Sequence, residues 1–155
     1  MDELSAFGAL GARLGFLLHY ADVAGMAGLH ERLAVFDMTP VRATAVVYVG
    51  LHEGCDQMAL GRALGVNRAR AMKVVDELEA RGAVERRSGR DRRSNALHLT
   101  PAGAVLRGRI EQVTLEHDEA FFGALTAKER DDLRALLAKL RTAPDAVERD
   151  LATTL

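Results

Sequence analysis

At 155 residues with 48% apolar side chains, the chain is one ordinary domain with enough apolar material for a core, or one domain carrying dimerisation arms. No run approaches the ~18 consecutive apolar residues of a membrane span. The N-terminal residues show no basic start and apolar middle of a secretory leader, and the lone Cys55 has no internal disulfide partner, so a reducing cytoplasm is expected. The net charge of −1 conceals a partition of −4 over residues 1–61, +5 over 62–93 and −2 over 94–155. A positive block thus lies between two acidic arms, and it reads either as an anion-binding surface or as a solvated charged face.

In chain order, the first helical region runs from about Leu4 to Leu33, with Leu10, Leu14, Leu17, Leu18, Ala21, Gly25, Gly28 and Leu29 near helical spacing. Gly8, Gly11, Gly15 and Gly25 lower its propensity; they either permit close helix–helix contact or break the segment near its start. After the connector Phe36-Asp37-Met38, Thr39-Pro40 supplies an N-cap with proline in the first helical position. The helix it opens, Pro40 to His52, is apolar almost throughout and is expected to be buried on most sides; Gly54 stops it. A third helix, Gln57 to Leu64, is expected to turn Met58, Leu60, Ala63 and Leu64 inward, and Gly65 provides a tight turn with Val66 plugging the corner. Asn67 then caps a fourth helix with an inward stripe of Ala71, Val74, Val75 and Leu78, ended by Gly82 as its C-cap.

Residues 83–87 and 95–99 have strand length, joined by a polar tip over 88–94, so a β-hairpin is expected. Thr100-Pro101 repeats the cap-then-proline start of a long helix to about Gly123, with Val105, Leu106, Ile110, Val113 and Phe121 as core candidates. Thr126-Ala127-Lys128-Glu129 is a capping box for a last helix with Leu133, Leu136, Leu137 and Leu140 on one face. Pro144 closes that helix, and the tail to Leu155 is a short helix or disordered. The expected fold is mostly α with a small β-wing (α+β), a winged helix-turn-helix.

That order of elements gives the basic block its chemistry. An α-helix fits the major groove of duplex DNA, and its first turns reach base edges. Arg68 and Arg70 stand in the first turn of the fourth helix, Lys73 one turn on, and Ala69 and Met72 are apolar neighbours able to touch a thymine methyl. Arginine suits this place because its planar fork meets guanine O6 and N7 together. Residues 86–93 hold five arginines, Arg86, Arg87, Arg90, Arg92 and Arg93, which repel one another unless phosphates neutralise them. A narrow minor groove attracts such a tip. Asp91 is unsuited to DNA contact; it either pairs with a nearby arginine to fix the hairpin or is a simple turn residue.

The stretch ALGRALGVNRARAMKVVDELEARGAVERR, the D-x-R motif of Asp91-Arg92-Arg93 and the segment LHLTPAG together resemble the MarR family of bacterial winged helix-turn-helix transcriptional regulators. The resemblance covers about Leu14 to Leu140. It implies that residues 67–82 form the recognition helix, that Asp91 stabilises the wing and that Arg93 enters the minor groove. It further implies one domain over 1–155, with the winged helix-turn-helix at 38–100 and dimerisation helices at 1–35 and 101–155. The expected protein is then a cytoplasmic, nucleoid-associated homodimer that binds an inverted-repeat operator in double-stranded DNA. It acts as a repressor released by a small aromatic or anionic effector and needs no cofactor. The Leu133–Leu140 face, with Leu4 and Phe7, suits the dimer interface, or else belongs to an intramolecular core. Ala69 and Arg70 stand where small polar residues are often seen in the family, so the operator sequence does not follow from the resemblance.

The resemblance also implies an effector pocket between the first, second and fifth helices. Phe16, His19 and Tyr20 on the first and Arg42, Val46 and Val49 on the second are its candidate lining. Arg42 is the most suggestive, since a buried arginine needs an anion, but it reads equally as a surface residue of a first helical turn; His19 and Tyr20 read equally as interface or core. A redox switch at Cys55 is disfavoured by Glu53 and Asp56 beside it. The histidines at 19, 30, 52, 98 and 117 are scattered without metal-ligand spacing. No phosphate-binding glycine loop or nucleophile elbow is present, so an enzyme is not expected. The rival to a ligand-responsive regulator is a winged-helix module without an effector, binding protein or organising DNA.

Overall fold

The computed structural model describes residues 3–88 and 95–141. The wing tip with Arg90, Asp91, Arg92 and Arg93, and the tail with Pro144, lie outside the described residues. The chain forms two compact units, Met1–His117 and Asp118–Leu155.

The first unit opens with a 3-10 segment, Glu3–Leu10, kinked at Gly8, before α1 (Leu14–Ala34). The expected single helix from Leu4 is thus broken, and the glycine-rich start is the cause. Next come α2 (Pro40–Leu51), β1 (Cys55–Asp56), α3 (Gln57–Leu64), α4 (Arg68–Ala80), β2 (Val84–Ser88), β3 (Asn95–Leu99) and α5 (Pro101–Phe121). The strands form one antiparallel sheet in the order β1-β3-β2. Cys55 pairs with Leu97, and Val84 with Leu99. The two-residue β1 is too short to carry a periodicity, which is why the sequence does not reveal it.

The core surrounds α2, an arrangement anticipated by its apolar composition. Ala43, Ala45, Val46 and Val49 pack with Leu33 of α1, Leu60 of α3, Val74, Val75 and Leu78 of α4, Val84 and Leu97 of the sheet and Ile110 of α5. Thr39 caps α2 by accepting a hydrogen bond from the Arg42 amide, and Thr100 caps α5 by accepting one from Gly103 at 2.9 Å. Three inward assignments are corrected. Met58 is 65% exposed and Ala63 is also exposed, while Gly61 takes the buried place beside Leu60, because α3 packs so tightly on α4 that a Cβ at Gly61 would lie 3.3 Å from that of Ala71. Val105 is likewise exposed.

In the second unit, α6 (Ala127–Arg141) starts with the expected capping box: Glu129 Oε2 accepts from the Thr126 amide at 2.7 Å and its hydroxyl at 2.8 Å. Those bonds hold the Glu129 carboxyl below its ordinary range, the backbone bond contributing most. Arg130 Nε closes the preceding turn by donating to the carbonyls of Phe122 and Leu125. Leu136, Leu137 and Leu140 are exposed. Phe121, a core candidate, is 38% exposed and meets Phe122 edge to face.

Candidate nucleic-acid interface

Three residues fix the ends of α3 and the start of α4. Asp56 caps α3 by accepting from the Ala59 amide at 2.7 Å. Gly65 ends α3 in the left-handed region, φ 63°, where a Cβ would be strained. Asn67 then opens α4, its Oδ1 accepting from the Arg70 amide at 2.9 Å. The inward stripe of Ala71, Val74, Val75 and Leu78 is buried as expected. Burying that stripe turns Arg68, Ala69, Arg70, Met72 and Lys73 to solvent.

Charge along α4 is sorted. No carboxylate among the described residues pairs with Arg68, Arg70 or Lys73. Every acid of the C-terminal half is engaged instead. Glu77 meets Arg42 of α2, whose Nε and Nη2 both lie 2.6 Å from Oε2. Asp76 and Glu79 both hold Arg86 of β2. Arg81, just past the helix, pairs with Asp37 of the α1–α2 connector, where Asp37 adopts φ 54°. Arg81 holds the Asp37 carboxyl below its ordinary range, through its hydrogen bond first and its field second. What α4 presents unneutralised is therefore cationic and lies at its N-terminal end, where the helix dipole adds partial positive charge.

Two wing arginines depart from expectation. Mutual repulsion does not require phosphates at Arg86 and Arg87, because carboxylates of the chain already answer them: Asp76 and Glu79 for Arg86, Glu85 for Arg87. Arg87 is still open to an outside partner, since its side chain is 58% exposed and such a surface pair is weak. Arg86 is not, being 21% exposed.

The six effector candidates separate into two groups. Phe16 and Tyr20 of α1 lie 4.7 Å apart with their rings tilted and join Phe7 of the 3-10 segment, 5.0 Å from Phe16; His19 sits edge-on to Tyr20. On α2, Val46 and Val49 have 0% exposure and pack in the hydrophobic core. The anion that Arg42 needs is Glu77. A distant carboxylate of this kind cannot be read from local spacing, because the partners stand 35 positions apart.

Burial raises the Cys55 thiol above its ordinary value, and Asp56 adds to this; the thiol form therefore persists further into the alkaline range, the opposite of what a sensing thiolate requires. Among the described residues no group of three His, Cys, Asp or Glu side chains could hold a metal ion. Nor is any described helix long and apolar enough to cross a membrane.

A cationic helix face beside a β-hairpin now meets its relatives. The model of the MarR family matches residues 36–94, the segment from the α1–α2 connector to the wing. A transcriptional regulatory protein assigned to the hcr operon of Thauera aromatica is 33% identical over 135 residues, covering 86% of this chain and 81% of its own length. The chain belongs to the MarR family. This MarR-family chain is thus a transcriptional regulator and not an enzyme. Among solved structures, the repressor CouR bound to a 23-mer DNA duplex is similar at TM-score 0.82 and 26% identity, over 86% of this chain and 96% of that one. The Mycobacterium tuberculosis protein RV2887 in complex with salicylic acid is similar at TM-score 0.69 and 26% identity, over 83% of this chain and 96% of that one.

Proposed function

We propose that the chain is a homodimeric repressor that grips an inverted-repeat operator and is released by a small aromatic acid. One observation carries the DNA reading: Arg68, Arg70 and Lys73 stand exposed and unneutralised at the start of α4, while the acids of the same helix are tied up internally. Arg68 and Arg70 read base edges or phosphates in the major groove, Ala69 and Met72 meet thymine methyls, and Lys73 binds phosphate. Arg87, with Arg90, Arg92 and Arg93 of the tip, serves the flanking minor groove, and Asp91 steadies the hairpin. The DNA-bound state of CouR supports this use of the fold. In a dimer the two α4 helices would engage half-sites about 34–36 Å apart, one turn of DNA.

The effector reading rests on Phe16, His19 and Tyr20 of α1, which with Phe7 of the 3-10 segment form an aromatic cluster able to stack on a planar acid. The salicylic acid bound by RV2887 supports the ligand class. The test is a titration of salicylate and other phenolic acids into the protein bound to a duplex from its own upstream region. Release by an aromatic acid, weakened at least about tenfold in Tyr20→Ala, is the expected result. Retention of the duplex at saturating concentrations of every acid would leave a winged-helix protein without an effector.

A further inference from the structure

Arg86 belongs by sequence to the run of wing arginines, yet it points the other way. From the third residue pair of the hairpin, where it stands opposite Leu97, its Nη2 reaches Asp76 Oδ1 at 2.5 Å and its Nη1 reaches Glu79 Oε2. Asp76 and Glu79 are three positions apart on α4 and therefore share one edge of the helix. A guanidinium presents parallel donors in a rigid fork, and here the two arms take two different carboxylates. Asp76 and Glu79 also raise the Arg86 pKa, the Asp76 hydrogen bond contributing most. Elsewhere around α4, Glu77 is held by Arg42 of α2. The helix is thereby tied both to the core helix and to the wing.

We propose that Arg86 is a positioning residue for DNA binding: it fixes the angle between the wing and the recognition helix without itself touching DNA. The inference rests on the DNA-binding reading and deepens it. Two surfaces that must enter adjacent grooves of one duplex bind well only when their separation is set beforehand, because ordering a loose wing at the moment of binding costs affinity. Asp76 and Glu79 explain themselves in the same way. Two carboxylates on a helix that faces a polyanion would weaken binding, and their place is justified when they serve to hold the wing.

The two possible roles of Arg86 predict different salt slopes for its alanine variant and opposite signs for removal of its two carboxylate partners. The affinity of the full-length protein, and of its Arg86→Ala, Arg86→Lys, Arg70→Ala and Asp76→Asn/Glu79→Gln variants, is measured for a labelled duplex from its own upstream region across a range of KCl concentrations. As a positioning residue, Arg86→Ala weakens binding about tenfold and leaves the slope of log K against log salt unchanged. Arg86→Lys, whose point charge cannot span both carboxylates, falls between. Asp76→Asn/Glu79→Gln also weakens binding, although it removes two negative charges. Arg70→Ala lowers the slope by about 0.9 for each phosphate that it leaves unneutralised.

A fall of about 0.9 in the slope for Arg86→Ala, or tighter binding by Asp76→Asn/Glu79→Gln, would overturn the inference. Amide hydrogen exchange of the free protein gives a second, DNA-independent reading. Arg86→Ala should speed exchange in β2 while leaving the α2 and α4 core protected, and unchanged exchange in β2 would equally overturn it. Failure of the unsubstituted protein to bind any duplex would contradict the DNA reading itself, and hydrogen exchange would still decide whether Arg86 holds the wing.

Discussion

Gly103 occupies a place that admits no side chain. A Cβ there would stand 1.9 Å from the Ala83 carbonyl oxygen, which also accepts the Thr100 amide at 3.1 Å. The start of α5 is thus pressed against Ala83, the residue just before β2. Gly103→Ala must push these backbones apart, and a loss of about 3 kcal/mol is expected, the upper end for forced shifts in packed regions. Differential scanning calorimetry should register it as a fall in Tm of roughly 9 °C; an unchanged Tm would show that the two backbones have room to spare. The motif LTPAG signals this glycine, but only the fold reveals what lies against it. The same limit applies elsewhere at this scale. Asn67, Gly65 and the stripe from Ala71 to Leu78 are legible because caps, turns and 3.6-residue spacing are local. The partners of Arg42 and Arg86 are not, since they come from elements 35 and 7–10 positions away.

Among the α-helices, the two with the least burial, α1 and α6, are the most informative. On α1 only Leu33 is buried, while Leu14 is 84% exposed and Val23 and Met26 stand out with it. On α6, Leu136 and Leu140 are 57% and 60% exposed. Apolar helix faces of this extent are expected to be covered by a second copy of the chain. Replacing Leu136 and Leu140 together by Glu should convert a dimer to a monomer in light scattering, with helix content retained; a dimer that survives the double change would place the interface elsewhere. The apolar spacing of both helices is readable in the sequence, but spacing cannot distinguish a core from an interface. Spacing also misleads in α3, where the period points to Met58 and the close approach of α4 selects Gly61.

For the whole molecule, the near-neutral net charge is the least informative of its electrostatic properties. Among the described residues of the +5 block at 62–93, Arg81, Arg86 and Arg87 each meet acids of the chain, while the start of α4 remains open. DNA binding should therefore depend strongly on salt. Fluorescence anisotropy of a duplex from the chain's own upstream region, compared with a scrambled duplex of equal length at rising ionic strength, measures this directly. The arrangement predicts preference for the upstream duplex, steep weakening with salt, and a loss of about 1–3 kcal/mol when Arg70 is replaced by alanine. Equal affinity for both duplexes, undiminished by Arg70→Ala, would contradict it.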